Sequence, residues 1–291
     1  MEEFFATSIP NTTGDLGEGI LWDERSNTLL WADVFKKLIL RWNPETKKIV
    51  EKEFENIITY IGKYSQGGFV IAAGDSIAIL DDNLNIQQHV PLSMPNLNVR
   101  TNDGNIDALG NLWIGSMSDN GKVGQGDLKR IATHGAVSTA LKNISISNGL
   151  DWSPDGEVFY FIDTPTRKVR RFKFDVARGT LKSELEPLDV SGVSGSPDGM
   201  CVDSDGNLWI AFWGGGCVRK YSPQGEILGV VHVPATLVTN CTFGGNDLAT
   251  LYITTANTSH DASIKGLEPL AGSLFEVEVG ALGLPANNLL S

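Results

Sequence analysis

The sequence is poor in the residues that build disulfide frameworks and most transition-metal sites. Its 291 residues include three cysteines and four histidines, with no CxxC, HxH or HExxH spacing. An odd number of unpaired cysteines predicts no disulfide framework, and the missing pairs disfavour a zinc site built on sulfur or imidazole. No GxSxG sequence occurs either, which disfavours a serine hydrolase.

Positive charge is also scarce, and long hydrophobic runs are missing. The chain has 23 Lys and Arg against 35 Asp and Glu, a net charge of −12, which disfavours nucleic acid and anionic membranes as partners. No run of eighteen apolar residues and no signal-peptide pattern is present. We therefore expect no membrane association and a cytoplasmic location, with the oligomeric state, monomer or dimer, left open.

Glycine, by contrast, is plentiful, and it punctuates a repeated pattern. The chain contains 32 Gly and 12 Pro, and a strand, tight turn, strand pattern recurs six times along it. Dividing 291 residues by six gives roughly 48 residues per unit, close to the ~40–50 of a propeller blade. The sequence predicts an all-β protein, a six-bladed β-propeller with four-stranded antiparallel blades that forms a single domain over residues 1–291.

Ring closure and blade packing can be predicted from the same repeats. We expect the late strand Ser273–Val279 to pair into the blade that contains the N-terminal segment Glu3–Ile9. Most tryptophans recur at similar points of the repeats and should pack between blades. The segment Asp203–Asn207 begins like a calcium loop, but Leu208 and Gly214 stand where such a loop needs Gly and Glu, so it predicts a hairpin turn.

Polar residues open most of the repeats, where apolar strand residues are usual. In a propeller the innermost strands line one central channel, so residues at equivalent points of the repeats should converge there. The candidates are Glu18, Arg100, Asn102, Asn148, Asp198, Thr239 and Asn240. The oxygen ligands among them suit a hard divalent cation, although Zn²⁺ and Fe²⁺ also accept carboxylates. Asn148-Gly149 and Asp198-Gly199 are also ordinary turn dipeptides. Spacing alone therefore leaves open whether these residues form turns or bind a cation.

Several short motifs together resemble the signature blocks of one enzyme family. They are Gly17-Glu18-Gly19 with Trp22, Arg100-x-Asn102-Asp103-Gly104, Ser147-Asn148-Gly149-Leu150, Pro197-Asp198-Gly199-Met200, Trp213-Gly214-Gly215-Gly216 and Phe243-Gly244-Gly245. Their order and their spread over most of the chain resemble the gluconolactonase/regucalcin-like (senescence marker protein) family of sugar lactonases.

The resemblance implies a metal-dependent hydrolase that opens sugar-acid lactones, such as gluconolactone, to the free acids. It implies that Glu18, Asn148 and Asp198 bind one divalent ion, whose identity (Ca, Zn, Mg, Mn or Fe) stays open. It also implies that Arg100 and Asn102 bind substrate and that Asp198 is the general base. Whether Asp198 itself or the metal activates the attacking water is left open.

One position departs from the family pattern. After the third repeat's Gly-Ser-Met, animal relatives carry a pair of glutamates, one of which contacts substrate, whereas this chain reads Ser118-Asp119-Asn120-Gly121. The Asn120 amide can still bond a sugar hydroxyl, so we keep it as a substrate-binding candidate, but the lactone is not defined. Two alternatives remain: a non-catalytic calcium-binding or regulatory propeller, and a hydrolase of another lactone or ester.

Overall fold

In the computed structural model, residues 1–257 and 267–290 are described, and they form a ring of six small sheets. The regular structure of this part of the chain consists of β-strands and one short 3₁₀ turn, Thr164–Thr166. No helix in the described ranges is long and apolar enough to cross a membrane.

Each blade is built from four antiparallel strands, as predicted. The chain starts with β1 (Glu2–Phe5) and β2 (Thr7–Ser8). The first blade is β3 (Gly17–Asp23), β4 (Thr28–Asp33), β5 (Leu38–Trp42) and β6 (Ile49–Glu53). The second is β7 (Ile58–Tyr64), β8 (Phe69–Ala73), β9 (Ser76–Leu80) and β10 (Ile86–Pro91). The third is β11 (Val99–Ile106), β12 (Leu112–Ser118), β13 (Gly126–Ile131) and β14 (Val137–Ile144).

The remaining blades repeat the arrangement and bring both chain ends into the ring. The fourth blade is β15 (Ser147–Trp152), β16 (Val158–Asp163), β17 (Lys168–Asp175) and β18 (Thr180–Asp189). The fifth is β19 (Ser196–Val202), β20 (Leu208–Trp213), β21 (Cys217–Tyr221) and β22 (Ile227–His232). The sixth is β23 (Val238–Gly244), β24 (Thr250–Thr255), β25 (Phe275–Glu278) and the N-terminal β2, and the last strand is β26 (Asn288–Leu289).

The N-terminal segment closes the ring by joining two blades. Thr7–Ser8 pairs antiparallel with Phe275 and Glu276 of the sixth blade, which confirms the predicted closure. Glu2–Phe5 instead pairs in parallel with β22 of the fifth blade, a contact that the sequence did not predict. At the other end, β26 pairs in parallel with the last residues of β7. The outer strands of two blades are therefore tied together by the first eight residues.

Polar side chains fix the turns that join the first two strands of a blade. Asp203 accepts hydrogen bonds from the backbone N–H groups of Asp205 and Asn207 and from the Nε1–H of Trp209, at 2.8–3.0 Å. In the third blade, the Nε1–H of Trp113 donates to Asp107 in the same way, at 2.9 Å. The hairpin predicted at Asp203–Asn207 is confirmed, and its aspartate anchors a buried indole.

Aromatic side chains fill the spaces between neighbouring blades. Trp113 of the third blade packs edge-on against Trp152 of the fourth, with ring centroids 6.0 Å apart, and Trp209 of the fifth packs against Phe243 of the sixth at 5.6 Å. These indoles are at least nine-tenths buried. The prediction that the tryptophans pack between blades is confirmed for these positions, and the packing sets the distance at which the inner strands face one another.

Candidate functional site

The inner strand of every blade is irregular near its beginning. The pairing register shifts within β3, β7, β11, β15, β19 and β23, in each case one to three residues into the strand. A β-bulge leaves a residue out of the ladder and redirects its side chain. The shifts bracket Asn102, Asn148, Asp198 and Thr239. In β3, Glu18 is the last paired residue before the shift. The repeated bulge therefore explains how polar side chains can turn out of otherwise apolar strands.

Glycines follow three of these residues because neighbouring strands approach closely. A Cβ on Gly149 would lie 2.5 Å from Cγ of Met200, and one on Gly199 would lie 2.2 Å from Cγ of Asn240. Gly19 has a φ of +56°, which also favours glycine. The interpretation of Asn148-Gly149 and Asp198-Gly199 as turn dipeptides is wrong, because both pairs lie inside strands β15 and β19.

A chain of hydrogen bonds joins the third blade to the fourth and fifth. The guanidinium Nη1 of Arg100 donates to Oδ1 of Asn102 at 2.8 Å, and Nδ2 of Asn102 donates to Oδ1 of Asn148 at 3.0 Å. Nδ2 of Asn148 then donates to Oγ1 of Thr164 at 2.8 Å, and Thr164 donates to the carbonyl of Pro197 at 2.9 Å. Asn148 is only 6 % exposed, so these bonds fix which way its amide oxygen faces.

Glu18 is held from the sixth blade. Nδ2 of Asn240 donates to Oε2 of Glu18 at 3.4 Å, and the side chain of Asn240 also contacts Asp103. Asn240, which the sequence singled out at the start of the sixth repeat, thus lies at the site as a partner of carboxylates. Thr239 points elsewhere, since its hydroxyl donates to the carbonyl of Gly17 and is fully buried.

The carboxylates of the site destabilise one another's charged forms. Burial, with the nearby negative charge of Asp103, raises the pKa of Glu18 to about 8. Burial and the charges of Glu18 and Asp103 raise the pKa of Asp198 well above its usual range, opposed by the backbone N–H of Gly199. Burial likewise raises the pKa of Asp103 to about 7. Buried carboxylates that repel each other are stabilised by a bound cation.

The donor set fits a hard divalent cation. Glu18 and Asp198 supply carboxylate oxygens, and Asn148 supplies an amide oxygen whose direction is fixed by Asn102 and Thr164. Within residues 1–257 and 267–290, no three His, Cys, Asp or Glu side chains converge in a metal-binding geometry. A site with three protein ligands here would therefore need the Asn148 amide. Oxygen-only sets of this kind suit Ca²⁺, Mg²⁺ or Mn²⁺.

Asp119, to which the sequence assigned no role of its own, contacts the predicted substrate arginine. Oδ1 of Asp119 lies 3.0 Å from Nε of Arg100, and the Asp119 side chain is 58 % exposed. Burial lowers the pKa of Arg100, and Asp119 and Glu18 counteract this effect. Asn120 is exposed, and its Oδ1 accepts hydrogen bonds from Ser118 at 2.5 Å and from the backbone of Lys122 at 3.3 Å. Its role in substrate binding stays a prediction.

A cavity of about 650 Å³ occupies the next level of the channel. It is lined by residues that follow the site along the inner strands, among them Asp103, Asp151 and Cys201, and by C-terminal residues such as Leu284. Burial raises the pKa of Asp151 to about 7, and its Oδ2 accepts a hydrogen bond from the backbone of Val202 at 2.8 Å. In the sequence, Asp151 could have been recognised as a buried carboxylate because it lies within the apolar run Leu150-Asp151-Trp152.

The fold and the site together define a class of protein: a six-bladed propeller with two carboxylates and an oriented amide at one level of its channel. The comparisons with known proteins agree with this class. The model of the SMP-30/gluconolactonase/LRE-like family matches residues 16–257. The chain belongs to this family.

Curated relatives and solved structures cover nearly the whole chain. Regucalcin of Danio rerio is 35 % identical over 275 residues, covering 93 % of both chains. The Bacillus subtilis protein named "Putative sugar lactone lactonase YvrE" is 35 % identical over 274 residues, covering 92 % of this chain and 93 % of that one. A luciferin-regenerating enzyme superimposes with a TM-score of 0.91 at 30 % identity, covering 98 % and 99 % of the two chains. The calcium-binding protein regucalcin of Agrobacterium tumefaciens gives 0.93 at 26 % identity, covering all of both chains.

Proposed function

We propose that the protein is a metal-dependent hydrolase that opens sugar-acid lactones, such as gluconolactone, to the free acids. The observation that carries this proposal is the 3.0 Å hydrogen bond between Asn102 and Asn148. It couples a substrate-orienting pair, Arg100 and Asn102, to the proposed metal-ligand set. A protein that only stored calcium would have no need of an arginine in this position. Family membership and the similarity to the Bacillus subtilis protein named for sugar lactone hydrolysis support the same activity.

Glu18, Asn148 and Asp198 would hold one divalent ion in this proposal. When bound, that ion supplies Lewis-acid polarisation of the lactone carbonyl and stabilises negative charge on its oxygen. The donor set fits Ca, Mg and Mn well and also accepts Zn and Fe. The Agrobacterium tumefaciens relative is a calcium-binding protein, which supports a divalent cation here as a proposal.

The remaining roles fall to side chains of the channel. Arg100, held by Asn102 and Asp119, orients the lactone ring through directed hydrogen bonds. Asp198 accepts a proton from the attacking water as its oxygen bonds to the carbonyl carbon. The bond between that carbon and the ring oxygen then breaks, and the proton passes to the ring oxygen, which becomes the hydroxyl of the free acid. One water is consumed for each lactone opened.

A hydrolysis assay on metal-stripped protein tests the proposal. Glucono-, galactono-, xylono- and arabinono-lactones are offered with and without Mg²⁺, Mn²⁺, Zn²⁺, Fe²⁺ and Ca²⁺, and acid release is followed by pH indicator. We expect turnover that requires metal and is lost in Asp198→Asn. The control Asp205→Asn changes an exposed aspartate in the turn after β19 and should retain wild-type turnover.

Two other outcomes separate the alternatives. Calcium binding without hydrolysis of any lactone would favour the regulatory, calcium-binding propeller. Hydrolysis confined to non-sugar lactones or esters would favour a related hydrolase with a different substrate, as the Asn120 departure allows. We further propose that residues 1–291 act as one domain. The cytoplasmic location expected from the sequence stays a prediction.

A further inference from the structure

Two cysteines meet across neighbouring blades, outside the proposed lactonase site. Cys201 lies on β19 and Cys241 on β23, and their sulfur atoms are 3.9 Å apart. Both side chains line the 650 Å³ cavity. Cys201 is partly exposed there, whereas Cys241 is buried and also contacts the carbonyl of Trp209 at 3.4 Å. The third cysteine, Cys217, is buried on β21 and does not line this cavity.

The distance between the two sulfurs matches the spacing of two ligands on one tetrahedral ion. A thiolate binds Zn²⁺ at about 2.3 Å, so two thiolates at the tetrahedral angle lie about 3.8 Å apart. The sulfurs of Cys201 and Cys241 therefore already have the separation that such an ion requires. Because the cavity borders both residues, water or a small ligand can complete the coordination.

The charge around the thiols also favours a cation. Contact with Cys241 and burial raise the pKa of the Cys201 thiol, and the negative charges of Asp151 and Asp203 add to the rise. The negative potential that disfavours a free thiolate attracts a positive ion to the same sulfur. Two protein ligands are fewer than the four of a structural zinc site, so the arrangement fits an exchangeable ion.

We propose that Cys201 and Cys241 form a second cation site, specific for thiophilic divalent ions of the Zn²⁺ and Cd²⁺ type and separate from the oxygen site. Binding forms two metal–sulfur bonds, breaks two S–H bonds and releases two protons to solvent. The bound ion joins the inner strands of the fifth and sixth blades.

The dithiol site lies on the same two strands that carry Asp198 and Asn240 of the oxygen site. Cys201 follows Asp198 by three residues on the same strand, and Cys241 follows Asn240, which bonds Glu18. The backbone N–H of Cys241 donates to Oδ1 of Asn240 at 2.8 Å. An ion across the two sulfurs therefore ties together the strands that position Asp198 and Glu18.

A cadmium titration tests the proposal without relying on lactonase activity. Cd²⁺ is added to reduced, chelator-treated full-length protein, and the ultraviolet thiolate-to-cadmium charge-transfer band is recorded. We expect the band to saturate at one Cd²⁺ per chain and to disappear in Cys201→Ser and in Cys241→Ser. Cys217→Ser is the matched control and should keep the band. Asp198→Asn should also keep it, because carboxylates do not give this absorption.

A second measurement on the wild-type protein covers the case in which a serine variant fails to fold. Maleimide labelling of the folded protein with and without Cd²⁺, quenched before digestion and mass spectrometry, reports which accessible thiols the ion protects. We expect Cd²⁺ to slow the labelling of the partly exposed Cys201, whereas the buried Cys217 should react equally slowly with and without the ion. Absence of the band in wild-type protein, its persistence in folded Cys201→Ser, or protection of Cys217 instead would overturn the proposal.

Discussion

Thr164 offers a sharp test of how the site is organised, because it touches Asn148 without being a proposed ligand. Its Oγ1 accepts a hydrogen bond from Nδ2 of Asn148 at 2.8 Å and donates one to the carbonyl of Pro197 at 2.9 Å. Thr164→Val keeps the shape of the side chain and removes both bonds. The Asn148 amide then loses the contact that holds its Nδ2, and only the hydrogen bond from Asn102 still orients its oxygen.

The expected effect falls on metal affinity more than on folding. Loss of an outer partner of a ligand typically weakens metal binding 10- to 100-fold, about 1.4–2.7 kcal/mol. The lost hydrogen bonds should cost about 1 kcal/mol of folding stability. Isothermal titration with Mn²⁺ gives the affinity, and thermal unfolding gives the stability. At saturating Mn²⁺ we expect the KM for lactone to be unchanged, because Arg100 and Asn102 are not touched.

Thr166 supplies the control from the same 3₁₀ turn. Its hydroxyl donates to the carbonyl of Asp163 at 2.7 Å rather than bonding to Asn148. Thr166→Val should therefore lower stability slightly and leave Mn²⁺ affinity within about twofold of wild type. Wild-type affinity in folded Thr164→Val, or equal weakening in both variants, would refute the assignment of Thr164 as a positioning residue.

Three further predictions follow from the geometry and charge of the site. Asp119→Asn removes the negative charge beside Arg100, so we expect KM for lactone to rise about two- to fivefold with little change in kcat, and an unchanged KM would contradict this role. Gly149→Ala places a Cβ 2.5 Å from Met200 and should lower stability by about 1–3 kcal/mol in thermal unfolding, whereas Gly192→Ala, with open space around it, should not. The pKa of Glu18 is raised from 4.5 to about 8, so between these values the folded metal-free protein holds a proton that the unfolded chain has released. The Tm of metal-free protein should therefore fall as the pH rises from 5 to 8, saturating Mn²⁺ should reverse the trend, and a pH-independent Tm would count against the raised pKa.

The fold could be predicted from the sequence because its signal is local and repeated. Each hairpin carries its own turn residues, as at Asp203–Asn207, and six copies of one pattern leave few other architectures. The pairing of Thr7–Ser8 with β25 could be predicted because a closed ring needs a partner strand for β25. The parallel contact of Glu2–Phe5 with β22 has no local signal, because an edge strand can be extended by any short segment.

The details of the site depend on contacts between residues far apart in sequence. Position 149 must be glycine because Met200, about fifty residues later, leaves no room for a Cβ. Without that contact, the sequence could not distinguish an Asn-Gly pair inside a strand from a turn. Thr164 carries no motif, and its role becomes visible only once Asn148 and Pro197 surround it. The sequence showed Asp119 within a departure from the family pattern. Its pairing with Arg100 could not be predicted, because it depends on the shape of the loop.

In the proposed mechanism, Glu18, Asn148 and Asp198 hold the ion that lactone hydrolysis requires. The most direct test is the initial rate of gluconolactone hydrolysis by chelator-stripped protein during a stepwise addition of Mn²⁺, for wild type and for Glu18→Gln, Asn148→Ala and Asp198→Asn. We predict a rate near the uncatalysed background without metal, a rise that saturates at one Mn²⁺ per wild-type chain, and little or no rise at that ratio in the three variants. Full activity in the stripped protein, or an unchanged titration curve in the folded variants, would contradict the account.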